Sequence, residues 1–567
     1  MRIKRKTFFL ALTGIILFSI AAYFLFRLYD QFSFIAENEK HIGILMDLKE
    51  IDSEFIEEYN DSSQHKLDVL HYNIKIELLP ETGTIKGDVT LTLTSNPYDR
   101  QNLILNFYDN LKINSVFLNN RPAKYSRSET SISIEKGEYV TDTSFVRIKY
   151  EGKPKSLGFG SFKFDDMNGS KLIYTLNEPV FASTWFPCID RPDDKALADI
   201  YITNDSSFVS LSNGRLKGIS VDKDKRTYHW KLFYPISTYL IALYSGNYKT
   251  YSDKFISAGG DTVDLFCYAL PDKFEDAVRD FSDHKKYLEV FEELFGVYPF
   301  PKEKYSIAQF NWVYGAMEHQ TITGLGTDFI SGRKLFRDMI IHELAHQWWG
   351  NAVGPATWRD IWLNEGFSTY SEALYWERTI GADALRTTLA AKFGTFRRGN
   401  LHNPDNHLFS SLVYDKGAWV LHMLRKETGD STFFKILRNY YQRYKYKNAS
   451  TGDFKKIAEE VSGKNLKQFF DQWVFTGEGI IEAGYSYRVE KSDGKFKTII
   501  SIKQLQNGYD IYKFPVDIKL VFDNGEQIEK FNISRKDQEL IILNDSEPRD
   551  VIIDPDKWLL ATFELLK

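Results

Sequence analysis

His342, Glu343 and His346 place two imidazoles and a carboxylate within the five residues His342-Glu343-Leu344-Ala345-His346. Side chains four apart share one face of a helix, so both imidazoles can close on a single ion. Ile340, Ile341, Leu344 and Ala345 give the same segment an apolar side, as a helix packed into a core needs. Glu343, next to the first imidazole, can serve an attacking water as general base. Eighteen residues separate His346 from Glu365, in Asn364-Glu365-Gly366, and Glu365 can supply a third ligand. Two histidines and a glutamate leave the fourth tetrahedral position open, which suits a catalytic zinc, one per chain. The two cysteines, Cys188 and Cys267, are too few for a thiolate cluster or a disulfide framework and read as buried thiols.

These residues need a scaffold, and 567 residues are enough for three or four domains. From Leu67 the pattern has period two: Tyr72, Ile74, Ile76 and Leu78 alternate with Asn73, Lys75 and Glu77, and Val89, Leu91 and Leu93 with threonines. That predicts half-buried antiparallel strands, continuing to about Tyr251. From Phe274 to about Phe475 the period is helical, with amphipathic stretches such as 277–294 and 432–444. After Gly477 alternation returns, and Val516, Ile518, Leu520 and Phe522 run into the turn signal Asp523-Asn524-Gly525. The order β, mostly α, β predicts an α+β multidomain chain. Hydrophobic residues at 43% exclude a disordered or fibrous chain, and a net charge of -5 without a basic run excludes nucleic acid as a main partner.

Arg2, Lys4, Arg5 and Lys6 precede an uncharged apolar run from Phe8 to Phe26. About 20 such residues span a bilayer, and the flanking cations orient the amino end toward the cytoplasm. Residues 1–30 therefore read as a single-pass anchor with the catalytic part outside, the alternative being a cleaved signal and a secreted or periplasmic chain. Between Glu37 and Asp61 nine acidic residues and two lysines surround Ile42, Leu45, Leu48, Ile51 and Phe55 at helical spacing, so 31–64 reads as an acidic stalk.

The run His342-Glu343-Leu344-Ala345-His346-Gln347-Trp348-Trp349-Gly350-Asn351, followed by Trp362-Leu363-Asn364-Glu365-Gly366-Phe367, resembles the extended zinc signature of the M1 aminopeptidases. Gly315-Ala316-Met317-Glu318-His319 is similar to that family's Gly-Ala-Met-Glu-Asn motif, with His319 in place of the Asn. Tyr414-Asp415-Lys416-Gly417-Ala418 resembles the segment carrying its catalytic tyrosine, and Phe186–Pro192 and Tyr239–Ala242 fall where the family has similar runs. The resemblance runs from about residue 65 to the carboxyl end. It implies a saddle-like β domain (65–251), a thermolysin-like, mostly helical catalytic domain (252–477) and a small β-sandwich (478–567). About 90 residues after Gly477 leave no room for the long helical fourth domain of many members.

The resemblance also implies roles. His342, His346 and Glu365 would hold zinc, Glu343 would be the general base, and Tyr414 would donate to the oxyanion. Glu318 matches the family's amine-anchoring glutamate, and Glu178 lies where members carry a second anchor. Gly315 and Ala316 are small and would let the substrate backbone pair with this segment as an added strand, and Met317 belongs to the same substrate-binding run. His319 puts substrate positioning and preference in question. The expected activity is hydrolysis of the first bond of peptides with a free amino terminus; the alternatives are a zinc endopeptidase or a non-catalytic binding protein. Glu372, seven residues beyond Glu365, either orients a zinc ligand or is a plain surface glutamate. His229, His284, His402, His407 and His422 lack ligand spacing and read as structural.

Overall fold

The alternation from Tyr72 to Leu78 becomes the long strand Leu67–Leu79 in the computed structural model, which describes residues 62–95, 102–136, 142–167, 169–404, 408–492 and 494–566. Tyr72, Ile74, Ile76 and Leu78 are buried on this strand, as are Val89, Leu91 and Leu93 of the antiparallel neighbour Thr84–Ser95. These two are central in an eight-stranded sheet, ordered Arg215–Asp222, Lys225–Lys231, Leu197–Asp205, Leu67–Leu79, Thr84–Ser95, Thr143–Gly152, Leu111–Leu118, Arg121–Pro122. One pairing is parallel, Leu67–Leu79 against Leu197–Asp205 with Tyr72 opposite Ala198. A four-stranded sheet (Val209–Ser212, Leu243–Gly246, Ser170–Thr175, Phe162–Met167) adjoins it. Ahead of the first strand, the 3₁₀ turn Ser62–Lys66 is tied in by Gln64, whose amide donates to Asn106 Oδ1 at 2.9 Å.

The expected anchor and the stalk up to residue 61 lie outside the described residues. Among the described residues no helix is long and apolar enough to cross a membrane.

The middle of the chain is helical around a sheet that helical periodicity does not announce. Five strands run in the order Lys249–Ile256, Thr262–Ala269, Tyr305–Phe310, Ile322–Gly326, Ala316–Met317. Tyr305–Phe310 is flanked by parallel partners on both sides and is buried at every position, so its sequence carries no alternation. The stretch 277–294, expected as one helix, is two, Phe274–Phe281 and His284–Phe295. Local side-chain bonds replace the ladder at the break: Ser282 Oγ donates to the Arg279 carbonyl at 2.8 Å, and His284 Nδ1 donates to the Phe281 carbonyl at 2.7 Å.

The last region pairs Phe514–Phe522 with Gly525–Ile533 across Asp523-Asn524, with Phe522 opposite Gly525, so the turn signal marks a two-residue hairpin. Val516, Ile518 and Leu520 face the core. This three-stranded sheet, completed by Asp550–Ile553, accompanies a four-stranded one (Asp537–Asn544, Lys495–Gln504, Ile481–Ser492, Ala561–Leu565).

Two helices meet without intervening side chains. A Cβ added at Gly417, which opens helix Gly417–Thr428, would lie 2.8 Å from the Gly366 Cα in helix Trp362–Thr379. Gly366 follows Glu365, and Gly417 stands three residues after Tyr414. Gly417→Ala should therefore destabilise by about 1–3 kcal/mol through overpacking and lower the thermal midpoint, measured by calorimetry. An unchanged midpoint would show that the two helices separate freely.

Candidate active site

Helix Arg337–Ala345 carries His342 and Glu343, and His346 caps it with helical dihedrals and an amide bonded to the His342 carbonyl at 3.2 Å. Both imidazoles therefore project from one face toward Glu365 on helix Trp362–Thr379. His342 Nε2 and His346 Nε2 are 3.0 Å apart, and they lie 3.3 and 3.4 Å from the same Glu365 Oε2. All three residues are buried. A point equidistant from the three atoms lies about 1.9 Å from each, close to the roughly 2.0–2.1 Å bonds of zinc to nitrogen and oxygen.

The outer ring nitrogens fix the tautomers. His346 Nδ1 faces the Trp349 carbonyl at 2.9 Å; a carbonyl only accepts, so Nδ1 carries the proton and Nε2 offers its lone pair inward. His342 Nδ1 donates to Glu372 Oε1 at 2.9 Å, and Lys392 Nζ holds the other Glu372 oxygen, also at 2.9 Å. Glu372 is buried and orients a ligand, so it is not a plain surface residue. Two inward lone pairs on imidazoles braced from behind, together with a carboxylate oxygen, fit a borderline divalent metal such as zinc.

Next to this triad lies a second cluster. Glu178, Glu318 and Glu365 bring carboxylate oxygens within 4.8 Å of one another. Glu178 comes from the β region, where its neighbour Asn177 is pinned by the Trp185 indole donating to Asn177 Oδ1 at 2.9 Å. Glu318 follows the short strand Ala316–Met317, the outer strand of the five-stranded sheet. Gly315 opens that segment at φ +142°, a conformation side chains other than glycine rarely take. Met317 turns its side chain into the core, while Ala316 is half-exposed along the strand.

Burial raises the Glu178 and Glu318 carboxyls above the usual range, and neighbouring carboxylates add to the shift, Glu318 for Glu178 and Glu365 for both. Burial likewise pushes Glu343 up to about 8 despite the two imidazoles. Glu365 goes the other way: burial would raise it, but the imidazoles hold it at about 2. Glu178 Oε1, Glu318 Oε1 and Glu343 Oε2 are buried without a hydrogen-bond partner among the described residues. Glu178, Glu318, Glu343 and Glu365, buried with the two imidazoles, form a cluster suited to cations.

Tyr414 lies on a five-residue π-helical turn, Leu412–Lys416, a local widening that often marks functional positions. Its ring stacks beside His342 with centroids 5.9 Å apart at 24°. Burial, then the nearby carboxylates, raise its pKa well above the usual value, so the phenol is a hydrogen-bond donor.

The structure thus brings together all the expected site residues: His342, Glu343, His346 and Glu365 at the triad, Tyr414 beside it, Glu178 and Glu318 at the carboxylate cluster, and Gly315–Met317 along the strand. His319 is fully buried, with Nδ1 2.7 Å from the Tyr244 hydroxyl. Of the histidines read as structural, His284 and His422 are buried and His229 pairs with Asp199. His407 lies outside the described residues. Sequence reasoning gave no role to Lys392, which no spacing connects to Glu372, nor to Tyr239, whose hydroxyl accepts from Asn364 Nδ2 at 3.3 Å beside the ligand Glu365.

Residues 279–473 match the Peptidase family M1 domain, and residues 68–240 match the Peptidase M1 N-terminal domain. Together the matches take in more than half of the chain, which belongs to peptidase family M1. Probable aminopeptidase 2 of Sulfurisphaera tokodaii is 29% identical over 387 residues, 64% of this chain and 48% of that protein. The chain spans about half the length of the curated relatives it matches. Aminopeptidase A of Legionella pneumophila, solved in complex with aspartic acid, shares the fold with a TM-score of 0.76 at 19% identity, covering 88% of this chain and 60% of that one. The M1 zinc metallopeptidase of Deinococcus radiodurans does so with a TM-score of 0.63 at 24% identity, covering 72% and 93%.

Glu372→Ala should weaken metal binding by about 10–100-fold, because His342 loses the partner that fixes its tautomer. Competition with a fluorescent zinc chelator measures this, and an unchanged affinity would remove Glu372 from the site.

Proposed function

We propose that this chain is a zinc-dependent aminopeptidase that hydrolyses the first peptide bond of peptides with a free amino terminus. The observation that carries the reading is the sharing of Glu365 between the histidine pair and the Glu178–Glu318 cluster. An α-ammonium nitrogen is two bonds from the scissile carbonyl carbon, about 2.5 Å away. Its binding site must therefore adjoin the metal, and the second carboxylate cluster does. A dehydrated ammonium needs carboxylate partners, and its charge offsets the repulsion between Glu178 and Glu318.

Zinc held by His342, His346 and Glu365 would polarise the scissile carbonyl and acidify the attacking water. Glu343, beside His342, takes the proton from that water and returns it to the leaving amine. Tyr414 donates its phenolic hydrogen to the oxyanion. Glu178 and Glu318 hold the ammonium, and the outer edge of Ala316–Met317 offers backbone groups for pairing with the substrate chain.

The test compares free aminoacyl anilides with their amino-acetylated forms, with and without a chelator. Cleavage of the free forms alone, abolished by the chelator, is expected; cleavage of the acetylated forms would overturn the aminopeptidase reading. Glu343→Gln should keep one zinc per chain and lose roughly 10²–10⁴-fold in kcat. Full activity in that variant would remove Glu343 as the base.

The run Phe8–Phe26 with its basic flank supports a further proposal, a membrane anchor with a cytoplasmic amino end and the catalytic part outside. The full chain should fractionate with membranes and yield its folded part to protease added from outside. Recovery of the intact chain as soluble protein would overturn the anchor.

A further inference from the structure

Beyond His346 the chain continues Gln347-Trp348-Trp349-Gly350-Asn351, and its two amide side chains take no part in the chemistry above. Both are fully buried. Gln347 Oε1 accepts from the Thr321 backbone N–H at 2.9 Å, and Gln347 Nε2 donates to the Glu318 carbonyl at 3.4 Å. Asn351 Nδ2 donates to that same carbonyl at 2.7 Å. The turn that follows the metal ligands thus grips the backbone of the residue that anchors the amine.

Sheet pairing alone holds this segment weakly. The strand contributes two ladder pairs, Ala316 with Leu325 and Met317 with Gly324, and Glu318 lies just past the last of them. Thr321 sits at φ +65°, a conformation β-branched residues rarely adopt, so it must be held from several sides. Besides the bond to Gln347, its Oγ1 accepts from the Gly214 amide at 3.0 Å and its carbonyl accepts from Lys304 Nζ at 3.2 Å. Lys195, from the β region that also supplies Glu178, braces the other end. Its Nζ donates to the carbonyls of Asn351 at 2.6 Å and Ala352 at 3.2 Å.

We infer that Gln347 and Asn351, braced by Lys195, are positioning residues that set the spacing between the ammonium anchor and the metal ligands, and so confine cleavage to the first peptide bond. The inference rests on the aminopeptidase reading. The two subsites must be one residue apart, and a change of an ångström between them misplaces the scissile carbonyl. The amides make that spacing a property of one hydrogen-bonded body: the metal helix on one side, the Glu318 backbone on the other.

The test uses zinc-loaded protein carrying Gln347→Met, which keeps side-chain volume, Asn351→Ala, or Lys195→Met. Calorimetry in a Glu343→Gln background, which keeps zinc without turnover, measures binding of leucine amide and of N-acetyl-leucine amide, metal analysis measures zinc content, and leucine anilide supplies kcat and KM for each variant with Glu343 intact. Zinc should stay at one per chain while the preference for the free amine falls about tenfold and KM rises more than kcat falls. Lys195→Met, acting through Asn351, should move the same quantities less. A variant that keeps zinc and the wild-type preference for the free amine would overturn the inference. So would equal weakening toward both amides, the mark of a merely structural role. A wild-type protein that does not itself prefer the free amine would instead defeat the aminopeptidase reading.

Discussion

Four buried carboxylates and two buried imidazoles within a few ångströms are the condition around which this molecule is organised. Desolvation opposes the charged form of each carboxylate, and their mutual repulsion adds to that cost. Only Glu365, in contact with both imidazoles, is held firmly ionised. The others present unpartnered oxygens to the chamber. A site of this composition is stable in its charged form when cations share it, which is why a divalent metal and an ammonium are coherent occupants.

The packing around the chamber limits how its charges can move. The outer imidazole nitrogens are taken by the Trp349 carbonyl and by Glu372, and Glu372 is in turn held by Lys392. The rings cannot turn without breaking these bonds, so the inner nitrogens face Glu365. Gly366 against Gly417 brings the Glu365 helix into backbone contact with the segment that presents Tyr414. Geometry here is set by close approach and by hydrogen bonds from behind, more than by contacts inside the chamber.

The β region takes part in the site. It contributes Glu178, and its Lys195 reaches the loop behind the metal helix. A buried lysine, Lys304, donates from the catalytic side to the Ser212 carbonyl at 3.0 Å. These bonds cross between regions that sequence periodicity treats as separate, and they make the Glu178–Glu318 end of the site a joint product of both.

Much of this was legible in the residues. Alternation located the long strands of the first and last regions because each has one buried and one wet face, and the four-residue spacing of His342 and His346 marked a pair of imidazoles on one face because helix geometry is local, whereas Glu365 joins them from a second helix. The central sheet was not legible, since a strand buried on both faces, such as Tyr305–Phe310, loses its period. Nor was the break at Ser282–Asp283, where side chains capture helix carbonyls. The chain's order of residues determined which imidazoles, carboxylates and phenol are available to a site, and the family resemblance pointed to their roles. Only the tertiary structure decided that Glu178, Glu318 and Glu365 share one cluster, that Glu372 and Lys392 stand behind His342, and that His319 bonds to the Tyr244 hydroxyl. Those relations join residues far apart in the chain, and no local period or spacing encodes a distance that packing alone sets.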